Sequence, residues 1–424
     1  MNPDPMNVLE EWLREDNSGA AYFRAIQPAI PASLVSAANY ARILEVASRV
    51  PGVCALRGFY FEFFLGEADA RADISFLATA ADGCPEALAA RQPAGPGPED
   101  DSWLVLQRLA ASWSRAGGSL QEEINAVWLE FDINGRQPYS PSFFLTPDHP
   151  RQSRERHARS GSLLEALPRE LGEEVFSTAN IAAALACLEH LPAGGWLMQI
   201  GCMLSRRPAV LRLCLGLPRE TILDYLGKLG APADLPRVAE ILDLLKPFDD
   251  EFILHLDLLG GVQPKIGLDL LLAPGEPFPD PRLDGILEEF CRRRLCLPAK
   301  LDALRTITGH TVMGANLGNW PPALRRRCLQ SQFREKSFFI HSLSHLKLVS
   351  EPGRDPVAKA YLGVDHHWKK TDPQGGERRV RASSQGFPAK DRNRPGPERP
   401  TRSQSGSGSP AADHPDSRVR LYLR

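Results

Sequence analysis

Apolar and polar positions alternate with a period of two in five separate parts of the chain, and in each part a second such run follows the first after a short break. A two-residue period predicts strands with one buried face, and Gly-containing breaks predict hairpins. The first pair covers Leu56–Leu65 and Asp73–Ala78. The second covers Val127–Ile133 and Ser142–Leu145, around Asn134-Gly135. The third covers Trp196–Leu204 and Val210–Leu215. The fourth covers Phe252–Leu258 and Lys265–Leu271, around Gly260-Gly261. The fifth covers Ile340–Leu348 and Ala358–Leu362, around Pro352-Gly353. Helical periodicity fills the intervals: Ala32–Val50, Asp101–Arg115, Ser162–Leu171, Ser177–Leu191 with Ser177 and Thr178 as candidate caps, Pro218–Leu229, Ala233–Leu245, Pro281–Arg294, Pro298–Ile307 and Pro321–Phe333. The strand pairs begin 56 to 88 residues apart, and the units repeat in pattern without repeating in letters.

Each pair carries its polar groups on one face. Val127, Leu129, Phe131 and Ile133 oppose Trp128, Glu130 and Asp132. Phe252, Leu254, Leu256 and Leu258 oppose His255 and Asp257, and Ile266, Leu268 and Leu270 oppose Lys265, Gly267 and Asp269. Leu211, Leu213 and Leu215 oppose Arg212 and Cys214. Phe59, Phe61, Phe63 and Leu65 oppose Tyr60 and Glu62. In the last pair His345 shares a face with Lys347, and Lys359 with Tyr361. The predicted fold class is therefore α+β: a ten-stranded antiparallel β-barrel of five strand-pair and helix-pair units, with an outer ring of helices and a polar lumen. Closure removes the sheet edges. An open sheet with a solvated polar face and two ferredoxin-like domains are the alternatives, and any one lumen residue reads equally as the wet side of an amphipathic sheet.

Charge divides the chain. Lys369 to Arg424 holds 13 Lys and Arg against 6 Asp and Glu, a net of +7, which leaves −9 on the remainder. The basic segment is rich in Pro, Gly, Ser and Arg and too poor in apolar residues to offset its ordering entropy. The expected division is one domain over 1–366 and a disordered tail over 367–424. The tail lacks interleaved aromatic residues, so no nucleic-acid partner is expected. Residues 92–101 read as a Pro, Gly and acidic loop. The eight cysteines form no CxxC pair, which points to a reducing compartment and argues against a zinc site. The acidic start at 1–16 is unlike a signal peptide, and no apolar run reaches the ~20 residues of a membrane span. A cytoplasmic protein with no membrane partner is expected.

Five such units closed into a ten-stranded barrel resemble the ABBA-type prenyltransferases: the fungal indole, bacterial aromatic and cyanobactin peptide enzymes. The resemblance covers residues 1 to about 366 and rests on architecture more than on motif. It implies transfer of an allylic prenyl group from a prenyl diphosphate to an aromatic or peptide acceptor, as in natural product biosynthesis. The diphosphate leaves, aromatic faces shield the cation, and a carboxylate takes the acceptor's proton. The Lys-x-Tyr pattern of the fungal members occurs once, at Lys359-Ala360-Tyr361. Carried onto this chain, the resemblance gives Glu62 or Glu130 as the catalytic base. It gives Tyr60, Arg212, His255, Lys265, His345, Lys347, Lys359 and Tyr361 as substrate-binding residues, with Tyr60 as a shield. Tyrosines expected in pairs three and four are replaced by Cys214 and Asp269. No cofactor is required, although magnesium bridging Asp132, Asp257 and Asp269 to the diphosphate is an option some members use. The missing tyrosines favour an alternative, a non-catalytic barrel that binds a small molecule or peptide within a biosynthetic pathway.

Other constellations carry less. His341 and His345 lie roughly 13 Å apart on a strand at ~3.3 Å per residue, too far to share a metal. His366-His367-Trp368 reads as surface, Asp249-Asp250 as a turn, and Trp103 and Trp113 as core. Pairs such as Glu130 with Lys359, or Asp257 with Lys265, read as plain salt bridges. The Gly-rich MGANLGN follows no strand, and no P-loop, dinucleotide fingerprint or nucleophile elbow is present.

Overall fold

In the computed structural model the described residues are 17–91, 101–133, 139–147, 154–173, 176–206, 208–272, 281–314 and 317–370. The N-terminal stretch, the 92–100 part of the acidic loop, the Asn134-Gly135 turn, the middle of MGANLGN and the basic segment from 371 onward lie outside them.

Two helices, α1 (Gly19–Ile26) and α2 (Ala37–Ala47), precede the hairpin of β1 (Gly58–Phe64) and β2 (Ala72–Thr79). Helices α3 (Cys84–Ala89), α4 (Asp101–Trp113) and α5 (Ser119–Glu123) lead to β3 (Ile124–Phe131) and β4 (Ser142–Pro147). Next come α6 (Arg154–Leu171) and α7 (Thr178–Glu189), then β5 (Trp196–Met203) and β6 (Val210–Pro218). The fourth unit is α8 (Ile222–Lys228), α9 (Leu235–Leu245), β7 (Glu251–Leu258) and β8 (Val262–Leu271). The last contains α10 (Pro281–Arg292), α11 (Pro298–Ile307), a short β9 (Gly309–Val312), α12 (Pro322–Gln330), and the long β10 (Glu335–Ser350) and β11 (Val357–Lys370).

Each strand from β1 to β8 pairs with the next, β8 pairs with β10, β10 with β11, and β11 returns to β1. Every pairing is antiparallel, and ten strands close into a barrel. This is the architecture that the resemblance implies, and it excludes the open sheet. Strand β9 stands outside the ring, paired to β10 at Phe338–His341.

The apolar strand faces turn outward and meet the helices in one continuous core. Phe23 of α1 packs on Phe59, Phe61 and Phe76, with ring centroids 4.4, 5.2 and 5.5 Å away. Trp103 and Trp113 are core, as expected, and the indole of Trp113 donates to the Ile124 carbonyl at 3.1 Å. Ser36, Ser177 and Asp234 cap their helices by accepting from backbone N–H groups, so helix ends follow the polar residues that precede them.

Several expectations shift. The helix expected over Ala32–Val50 starts only after Ser36, and α1, which is eight residues long and ends near Pro28, escaped the periodic reading. Strand β11 runs to Lys370, past the 366/367 boundary suggested by composition. His366-His367-Trp368 therefore lies within the barrel wall rather than on the surface: His367 is buried and stacks on Phe338 at 5.5 Å.

One buried cation ties the helical ring to the barrel. Lys300 of α11 is 2 % exposed, and its Nζ donates to the carbonyls of Phe64 (2.5 Å) and Asp69 (3.1 Å). These carbonyls have left water, and losing their donor is costly. Lys300→Met keeps the stem and removes the donor. It should cost about 1–3 kcal/mol, seen as a lower urea midpoint at constant slope. An unchanged midpoint would mean that the two carbonyls find other partners.

Candidate active site in the barrel lumen

The closing register builds one end of the lumen. Opposite Glu62 on β1 stands Tyr361, and Lys359 lies two residues further along β11. The Lys359 ammonium and the Tyr361 hydroxyl both donate to the Glu62 carboxylate. Burial alone would raise the Glu62 pKa, but Lys359 and Lys347 outweigh it and hold the group at about 2.

A bulge completes this wall. The β10–β11 register shifts between Leu343 and His345. Before the shift, Phe339, His341 and Leu343 pack away from the lumen, and His341 hydrogen-bonds Thr311 on β9. After it, odd-numbered residues face inward, so His345 lies across from Tyr361 and Lys347 across from Lys359. His341 and His345 thus point to opposite sides of one strand. The His345 and Tyr361 rings stack at 3.8 Å, 19° from parallel.

Strands β6, β7 and β8 supply the opposite wall. Arg212 grips Asp257 through Nε (2.6 Å) and Nη2 (3.2 Å), and Arg206 reaches the same carboxylate at 2.5 Å. Beside them His255 bonds Asp269 through Nε2 (2.6 Å) and Cys214 through Nδ1 (3.3 Å). Lys347 lies 3.2 Å from the same ring and 3.4 Å from Asp269. Burial lowers the pKa of His255 and of His345 to about 4, with Lys347 adding and Asp269 opposing, so both imidazoles are neutral near pH 7. Burial pushes the Cys214 thiol up to about 12 and lowers Lys265 to about 8. The salt bridges differ from the sequence expectation: Lys359 pairs with Glu62 rather than Glu130, and Asp257 pairs with the two arginines rather than Lys265.

These groups divide the lumen into two joined cavities. The charged one, about 40 Å³, is lined by Arg206, Arg212, Lys265, Lys347 and Lys359 together with Glu62, Glu130, Asp132 and Asp257. The other, about 70 Å³, is lined by Tyr60, Trp128, Phe144, Met198, Ile253, His345 and Tyr361. Tyr60 meets Trp128 edge to face at 4.8 Å. Its ring lies so close over Gly363 that a Cβ there would sit 3.1 Å from it. Glu130, His255, Lys347 and Tyr361 border both spaces. Glu130 makes no hydrogen bond with another described residue. Burial, then Glu62 and Asp132, raise its pKa to about 7 against the pull of Arg212 and Lys347.

The lumen thus gathers all ten candidates that the sequence offered. Among the residues that sequence reasoning missed, Phe144 was available from strand alternation. Arg206 was not, because it lies in the β5–β6 turn, where no periodicity applies. The three aspartates proposed for magnesium do not fit it. Asp257 is held by two arginines, Asp269 by His255 and Lys347, and Asp132 accepts from Ser205 at 2.6 Å. Among the described residues no group of three metal-ligating side chains converges, and no helix is long and apolar enough to cross a membrane.

No protein-family model matches the chain, and no curated protein does. Among solved structures it is similar to 5-dimethylallyl tryptophan synthase from Streptomyces coelicolor in complex with DMASPP and Trp. The identity is 12%, the TM-score 0.41, and the match covers 84% of this chain and 94% of that one. It is also similar to the apo form of the prenyltransferase PriB, at 13% identity and TM-score 0.45, covering 84% of this chain and 95% of that one.

Proposed function

We propose that the lumen transfers a prenyl group from a prenyl diphosphate to an aromatic or peptide acceptor. The observation that carries this reading is the division of one lumen into a cationic end and an aromatic end, with a carboxylate of raised pKa at the junction. The five cationic side chains receive the diphosphate, which competes for them with Glu62, Asp257 and Asp269. The allylic C–O bond breaks and its electron pair leaves with the diphosphate. Tyr60, Trp128 and the His345–Tyr361 stack present π faces to the cation and exclude water. The acceptor's π electrons form the new C–C bond, and Glu130 takes the proton that the ring then loses. Glu62 is the weaker candidate for the base, since its two donors hold it ionised and occupied. The aromatic cavity is smaller than the ~150 Å³ that admits benzene in an engineered core. An acceptor therefore enters as Trp128 and Met198, both only partly buried, give way.

The pairing of Arg206, Arg212, Lys347 and Lys359 with carboxylates favours the second reading, a non-catalytic binding barrel. Calorimetric titration with dimethylallyl and geranyl diphosphate, with and without magnesium, separates the two. The prenyltransferase reading expects saturable binding that Lys347→Ala and Lys359→Ala each weaken about tenfold or more, as for loss of a charge-assisted hydrogen bond. Binding unaltered in both variants would remove these lysines from the site. No heat with either ligand would leave the binding-protein reading.

The junction carboxylate gives a second expectation. Its folded pKa is raised, so it is protonated and inactive as a base below about 7 and ionised above it. The kcat/KM for prenylation should rise with pH through about 7. Glu130→Gln should abolish that limb and lower the rate by roughly 10²–10⁴-fold. A limb that survives the substitution would assign the proton transfer elsewhere.

A further inference from the structure

Beyond the two cavities, toward the end of the lumen on the far side of Tyr60 from the ion pairs, lies a carboxylate with no ion-pair partner among the described residues. Asp365 lies on the lumen-facing side of β11, in register with Gly58 of β1 and Ile340 of β10. Its Oδ1 occupies the lumen-side space that a side chain at position 58 would fill: a Cβ on Gly58 would sit 2.8 Å from it. Glycine at 58 is thus what lets the carboxylate lie flat against the barrel wall, one step from Tyr60. The two groups are close enough for the Asp365 charge to raise the Tyr60 pKa further above its burial-raised value. No hydrogen bond or ion pair joins Asp365 to another described residue, whereas Glu62, Asp257 and Asp269 each hold at least one cation. Burial alone raises its pKa to about 7, and a cation beside it would draw the group into its ionised form.

We infer that Asp365 is the recognition site for a protonated amine on the acceptor, so that the barrel selects amine-bearing aromatic compounds over neutral or anionic ones. The inference rests on the proposed reading of the lumen as a prenyl-transfer site. With Trp128 displaced, an aryl ring lodged against Tyr60 in the aromatic cavity would project a short aminoalkyl arm toward Asp365. The ammonium would then gain both the carboxylate and the π face of Tyr60. An acceptor carboxylate at this position would meet a like charge. The same chemistry fits a free aralkylamine or the amino terminus of a peptide that begins with an aromatic residue.

The test uses the full chain with dimethylallyl diphosphate and compares tryptamine, 3-methylindole and indole-3-propionate. Tryptophanyl-alanine amide and its N-acetyl form make up the peptide arm. Equilibrium binding of each acceptor and kcat/KM for each are measured in the wild type and in Asp365→Asn, whose fold is checked by circular dichroism. The expected result is a preference for the amine in each comparison of about tenfold or more, as for a charge-assisted hydrogen bond, with that ratio collapsing toward one in Asp365→Asn. A preference confined to tryptamine would identify the free amine as the source, and one confined to the dipeptide would identify the peptide terminus. A wild-type ratio near one, or a ratio that survives in Asp365→Asn, would overturn the inference. If nothing is prenylated, the functional reading fails, and the binding ratios still decide the role of Asp365: tryptamine binding no tighter than 3-methylindole would overturn it.

Discussion

The pairing of the first strand with the last holds this structure together. Without the β1–β11 ladder the sheet has two raw edges and no interior, and the polar faces of ten strands become ordinary wet surface. With it, Glu62 comes to lie against Lys359 and Tyr361, residues almost 300 positions later in the chain. Register matters as much as closure. A slip by one residue would turn Glu62 toward the helices, burying a carboxylate against side chains such as Phe23, and would turn Phe59, Phe61 and Phe63 into the lumen, a penalty large enough to fix the alignment by itself.

Within the closed ring, charged and aromatic groups are sorted to different ends of the lumen. The cations come from β6, β8, β10, β11 and the β5–β6 turn, and carboxylates face them from β1, β7 and the end of β3. The aromatic end draws on β1, β3, β4 and β11. The irregularity at Leu343–His345 makes the sorting possible, since one strand has to pack Phe339 against the helices at one end and present Lys347 to the lumen at the other. A regular strand presents every second residue to the same side; one extra residue exchanges the sides.

Strand alternation made the barrel legible, because inward and outward residues differ so sharply in polarity. Val127, Leu129 and Phe131 against Trp128 and Glu130 announce a two-faced strand without any partner in view. That the ring closes was an inference from repetition, and the direct cause, the register of β1 on β11, is a non-local pairing that no local window contains. The ion pairs were harder for the same reason. Glu130 and Lys359 share the lumen, yet Lys359 goes to Glu62, since partner choice depends on which strands adjoin. The short α1 and four-residue β9 left too few periods to register. Trp368 looked like surface because the chain beyond it is so polar, although β11 extends through it.

Closure by the terminal strand also dictates when the interior comes into being. A chain growing from its N-terminus can fold its hairpins and dock their helices one unit at a time, each through contacts close in sequence. The ring itself waits for residues 357–370, and until they arrive the free edges of β1 and β10 stand open to any extended chain nearby. Contacts so distant in sequence are slow to form. For most of its synthesis the protein is therefore an incomplete sheet whose two edges need to find each other before they find a neighbour, and its yield in a cell depends on the outcome of that competition.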